Sequence, residues 1–152
     1  MGRVTDRLAE LGFELPEAVA PLAAYVPAVR AGDMVYVSGQ LPVRAGVPVA
    51  VGIVGASVDT ATATECAQVC GLNALAAVAS LVDLDDVLQV VRVTGYVAAT
   101  AEFTDHPMVV NGASELFLAV FGDAGRHTRA AIGLASLPKG VPVEVDLLVR
   151  VR

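Results

Sequence analysis

The residues best placed to do chemistry lie near the C-terminal end, in residues 125–151, GRHTRAAIGLASLPKGVPVEVDLLVRV. The segment reads as two strands joined by a Leu-Pro-Lys-Gly connection, with Pro138 fixing φ and Gly140 permitting positive φ. On the first strand Arg129 is followed at alternate positions by Ala131, Gly133 and Ala135, a face stripped of bulk. On the second strand Glu144 and Asp146 alternate with Val143, Val145 and Leu147. Two readings follow from this spacing. In one, an arginine at the rim of a small-residue face and a carboxylate on the next strand line a pocket. In the other, an edge arginine pairs with a surface glutamate, because ion-pair networks imitate active sites.

The other reactive side chains form no constellation. Cys66 and Cys70 are four apart in a helical pattern, on one helix face. Such cysteines read as small buried apolar residues. The histidines, His106 and His127, have no ligand spacing to them, so no metal site is expected. His127 reads as a loop histidine near the cleft. Glycines in residues 41–57 match neither a phosphate-binding loop nor a dinucleotide fingerprint.

The elements that position these residues follow from periodicity. Residues 4–11 form a short amphipathic helix through Val4, Leu8 and Leu11, ended by Gly12. Residues 24–29 and 34–39 form a hairpin around Arg30-Ala-Gly-Asp33, and the valines of 41–57 can pair as a short edge hairpin. A long helix spans about 59–81, capped by Asp59, Thr60 or Thr62, with Ala67, Cys70, Ala74, Leu75, Val78 and Leu81 buried. A long apolar strand lies within 86–99. A second helix starts after Asp105-His106-Pro107 and runs to about Phe121, burying Val109, Ala113, Leu116, Phe117 and Val120. The order is β-β-α-β-α-β-β, an α+β domain with both helices on one face of a mixed sheet. Residues 1–21 are expected as an N-terminal extension packed on the core, and 22–152 as a single domain.

Composition narrows the function. The chain has 152 residues, 55% hydrophobic and only 17% charged, against about 25% charged in typical domains. No apolar run is long enough for a membrane span. The apolar excess therefore points to a homo-oligomer with apolar interfaces. A net charge of −6, with ten Lys and Arg spread thinly, disfavours nucleic acid. The first residues lack a continuous apolar run of the secretory kind, and a cytoplasmic location is expected.

Tyr25-Val-Pro-Ala-Val, Tyr36-Val-Ser-Gly-Gln-Leu-Pro42, Asn111-Gly-Ala-Ser114, Arg129-Ala-Ala, Leu137-Pro-Lys-Gly and Val143-Glu-Val-Asp146 occur in order. Together they resemble the RidA (YjgF) family of imine deaminases, also called L-PSP-like endoribonucleases, over residues 22–152. The resemblance implies a chorismate-mutase-like fold, a homotrimer and pockets in the clefts between subunits. It implies that Arg129 binds a substrate carboxylate and that Glu144 positions or activates the attacking water. Tyr25, Ser38 and Asn111 match positions that line or support the pocket. The implied reaction is hydrolysis of a 2-imino or enamine acid to the 2-oxo acid and ammonia, with no metal or organic cofactor. Two positions depart from the archetype. Ala131 stands where the deaminases carry cysteine, and Ala23-Ala24 replaces a Gly-Pro or Ala-Pro pair. These departures and the N-terminal segment suggest a longer, divergent branch. A non-catalytic trimer that binds small carboxylates is the competing expectation, and a ribonuclease or translation inhibitor the third.

Overall fold

The alternating segment near the C-terminal end becomes the centre of the sheet in the computed structural model, which describes residues 2–21 and 23–152. In chain order the elements are α1 (Arg3–Glu10), β1 (Ala28–Ala31), β2 (Met34–Gln40), β3 (Val43–Arg44), β4 (Val47–Pro48), α2 (Thr60–Ala79), β5 (Val87–Ala98), α3 (His106–Phe121), β6 (Thr128–Leu134) and β7 (Val143–Val151). The main sheet has five strands in the order β1-β2-β7-β5-β6. β5 and β6 pair in parallel through the α3 crossover, and every other neighbour is antiparallel. The sheet is therefore mixed, and the expected α+β order is present. The β3–β4 hairpin is the edge pairing of the valine-rich loop.

One face of the sheet is closed by both helices. Val143, Val145, Leu147, Val149 and Val151 are buried there with Val35, Val37, Val93 and Val97 of the neighbouring strands. Each fully buried valine or leucine contributes roughly 1.5–3 kcal/mol, so this stripe fixes the register of β7. A one-residue slip would turn it to the open face. α3 lies close because Gly95 leaves room for Val110, whose methyls would overlap a Cβ at that position. α2 approaches α3 as closely at Gly112, where a Cβ would overlap the Thr64 carbonyl.

Helix ends follow local chemistry. Asp59 is the N-cap of α2, accepting from the Thr62 amide at 2.7 Å. α1 ends in a Schellman turn: Gly12 (φ 82°) donates to Ala9 and Phe13 donates to Leu8. Its other end is capped from 82 positions away. The Asp85 carboxylate accepts from the Arg3 and Val4 amides, both at 2.8 Å. No periodicity announces that contact. Leu81, expected on the buried stripe of α2, lies beyond the helix and is exposed.

The first strand starts later than its sequence suggests. Tyr25 sits in a bend and β1 begins at Ala28. Pro27 has no amide hydrogen to give a ladder, and its carbonyl accepts from the Ser38 amide instead, at 2.9 Å. Among the described residues no helix is long and apolar enough to cross a membrane.

Candidate functional site

Arg129 leaves β6 on the helix side of the sheet, level with Val93 and Leu147. Its Nη1 donates to Asn111 Oδ1 at 2.7 Å and to Ser114 Oγ at 3.3 Å, both on α3. Ser114 Oγ lies 2.8 Å from His127 Nε2, and His127 Nδ1 lies 2.6 Å from the Gly125 carbonyl. A carbonyl can only accept, so Nδ1 carries the hydrogen. With Nε2 as the acceptor, Ser114 donates to His127 and in turn accepts from Arg129. The guanidinium is thus oriented by neutral acceptors, and among the described residues no carboxylate lies within ion-pair distance of it. Its Nη2 and Nε have no partner among the described residues either. They remain available to grip a carboxylate with two parallel hydrogen bonds.

The small-residue face of β6 has a packing origin. Ala131 packs against the core, and a Cβ at Gly133 would overlap the ring of His106, which starts α3. The missing bulk admits the helix and leaves Arg129 at the rim of that contact. His106 in turn meets Phe103 edge-on at 5.4 Å.

Glu144 lies elsewhere. It pairs with Tyr96 across β5 and β7, so it belongs to the open face, while Arg129 belongs to the helix face two strands away. A single chain therefore does not bring the two together. The Glu144 carboxylate rests against Gly39, where a Cβ would overlap Oε1. That close approach explains the glycine of Ser-Gly-Gln. Burial pushes the Glu144 carboxyl above its ordinary value, and the neighbouring Asp146 charge adds to the rise. Asp146 accepts a hydrogen bond from the Tyr96 hydroxyl at 2.9 Å. Burial, then Asp146, pushes the Tyr96 phenol up as well.

Ser38 is a tether. Its hydroxyl donates to the Val26 carbonyl at 2.7 Å and its amide to Pro27, which fixes the bend carrying Tyr25. Tyr25 then lines a cleft of about 630 Å³ beside Gly39. The structure thus gathers the five expected residues into two groups. Arg129 and Asn111 lie at the α3–β6 edge, whereas Tyr25, Ser38 and Glu144 surround Gly39. Ser114 was not legible as a site residue, since nothing in its helical spacing points to an arginine 15 positions away.

Cys66 and Cys70 are free and buried, as their spacing suggested. Burial lifts the Cys66 thiol to about 11 and raises the Cys70 thiol well above its ordinary value, so neither is a ready nucleophile. Among the described residues no group of three or more His, Cys, Asp and Glu is placed to hold a metal ion.

The family described as "YjgF/chorismate_mutase-like, putative endoribonuclease" matches residues 5–149. Protein TCP17 of Trypanosoma cruzi is 43% identical over 150 residues, 97% of this chain and 94% of its own. The crystal structure of Atu1372, a protein with unknown function from Agrobacterium tumefaciens, superposes with a TM-score of 0.91 at 44% identity, over 99% of this chain and 93% of that one. That of E. coli TdcF with bound serine gives a TM-score of 0.61 at 26% identity, over 90% and 92% of the two chains. A family match across nearly the whole length, joined to the same mixed sheet backed by two helices, makes this chain a member of the YjgF (RidA) family with its chorismate-mutase-like fold.

Proposed function

We propose that the protein is a cytoplasmic homotrimer that hydrolyses reactive 2-imino or enamine acids to 2-oxo acids and ammonia in clefts between subunits. The observation that carries this reading is Arg129, a guanidinium oriented by Asn111 and Ser114 with no anionic partner among the described residues. A cation held in this way is prepared for a ligand carboxylate. TdcF, a relative with bound serine, holds a molecule that carries such a group. Because Arg129 and Glu144 face opposite sides of one sheet, the working site pairs the arginine of one copy with the glutamate of another. There Glu144 takes a proton from the water that attacks the imine carbon. The C–O bond forms as the C=N electrons move to nitrogen, which takes up the proton. The resulting carbinolamine then collapses: its hydroxyl gives up a proton as C=O forms, the C–N bond breaks and the protonated nitrogen leaves as ammonia. Orientation and charge stabilisation suffice for an already electrophilic carbon. Residues 1–21 serve as an extension on the single domain of 22–152.

The test is hydrolysis of 2-iminopropanoate, generated in place by an amino-acid oxidase and followed by semicarbazide trapping. Acceleration that vanishes in Arg129→Ala supports the reading. A folded trimer that accelerates no imino acid overturns it. One observation favours a second reading, a trimer that binds carboxylates without turnover: Ala131 stands beside Arg129 where the archetypal deaminases carry cysteine. Carboxylate binding without hydrolysis would establish that reading. The family description also names an endoribonuclease, but a net charge of −6 opposes phosphate binding.

A further inference from the structure

The cleft beside Gly39 is built for more than a small acid. Its walls are apolar, with Pro16, Val19 and Pro21 of the N-terminal segment facing Tyr25, Leu41 and Val43. Its volume of about 630 Å³ lies in the range of pockets for drug-sized ligands, so a three-carbon acid would leave most of it empty. Two amides, Gln40 and Asn73, also line it and are only 6% and 1% exposed. Their orientation is fixed by main-chain carbonyls. Gln40 Nε2 donates to Ser38 at 3.0 Å, and Asn73 Nδ2 donates to Leu41 and Val43, both at 3.0 Å. Both Asn73 N–H donors and one of the two on Gln40 are thus used, and the carbonyl oxygens are left over. Among the described residues no donor reaches either oxygen, yet no unpartnered side-chain oxygen is sealed from solvent. Both oxygens therefore keep some access to solvent, and the residues that carry them line the cleft; an acceptor left unmet in a dry site costs about 1–3 kcal/mol. Glu17 and Lys139 are on the lining too and leave it near neutral.

We infer that this cleft is the side-chain subsite of the proposed imine site. It takes a substrate side chain with an apolar body and an N–H or O–H donor at its far end, and the reacting end lies toward Gly39, which lines the cleft and against which the Glu144 carboxylate rests. The inference rests on the reading above for the reacting end, and on Gln40, Asn73 and the N-terminal wall for the rest. It gives residues 16–21 a role in specificity.

Non-reacting probes separate the subsite from the reaction. Calorimetry would compare propanoate, 3-phenylpropanoate and 3-(4-hydroxyphenyl)propanoate on the full chain. The phenyl acid should bind at least about tenfold more tightly than propanoate, from the apolar area it buries. The hydroxyl should add about fivefold, the worth of one neutral hydrogen bond. Val19→Trp, which fills the cleft, should erase most of that preference. Equal affinity for all three acids on the folded wild type overturns the inference, with no variant needed. Tight aryl binding without any imine turnover would uphold the subsite and remove the reaction. Turnover of the alanine-derived imine without aryl preference would do the reverse.

Discussion

Arg129 and Glu144 illustrate how far residue identity alone reaches. Both can be picked from the sequence, because an arginine before a run of small residues and a carboxylate on an alternating strand are unusual local patterns. Their relation cannot be read that way. Register decides which face each occupies, and the register comes from the buried valines of β7. Replacing Arg129 by lysine keeps the charge and loses the planar fork, so kcat/KM for imino acids should fall by about tenfold to a hundredfold, with KM rising. Ser114→Ala removes one of the guanidinium's two acceptors and the link to His127, and should raise KM about fivefold in the same assay. Glu144 gives a pH signature of known sign. Its folded carboxyl binds a proton more readily than its unfolded one, so the folded state carries more protons between the two pKa values. Stability contributed by this group therefore falls as pH rises through that window. Thermal melts of Glu144→Gln should lose that decline and sit above wild type at neutral pH. As the proposed base, Glu144 would have to be ionised, so the acidic limb of the rate profile should lie above the ordinary carboxylate range.

At the level of elements, periodicity was enough for α2, α3, β5 and β7, where burial on one face repeats along the segment. It was not enough where one residue serves a distant backbone. Asp85 caps α1 across the fold, and Ser38 holds the bend that keeps Tyr25 out of β1. Asp85 is held below its ordinary value by those two amides, the Val4 bond first. Its support of α1 is therefore present above the unfolded pKa and is lost as pH falls through the folded one. Spacing also could not tell that Gly112 is a contact between helices and not a break in one. Gly112→Ala forces a methyl onto the Thr64 carbonyl and should cost about 1–3 kcal/mol or more in denaturant unfolding. Gly71→Ala meets the end of the Leu116 side chain at 3.1 Å, not a backbone carbonyl, and should cost less. Equal losses for the two variants would contradict the close backbone approach of α2 and α3.

Across the whole molecule the outstanding feature is a sheet with one uncovered face. Tyr36 (52% exposed) and Ile132 (41%) stand on it with the half-buried Leu148. This is the apolar excess that composition announces, now given a location, and it suits association with further copies. Ile132→Asp should lower the mass in solution to that of one chain, read by light scattering, and abolish imine hydrolysis while leaving the helical signal near wild type. The proposed site needs two copies for a separate reason, since Arg129 and Glu144 face apart in each. One measurement tests this most directly. Arg129→Ala and Glu144→Ala proteins, each inactive alone, would be mixed under conditions that exchange subunits and assayed for 2-iminopropanoate hydrolysis. If each cleft takes its arginine from one copy and its glutamate from the next, random exchange restores both groups in about a quarter of the clefts, and activity returns to about a quarter of wild type. A mixture that has exchanged its subunits and remains as inactive as either parent would contradict the shared site.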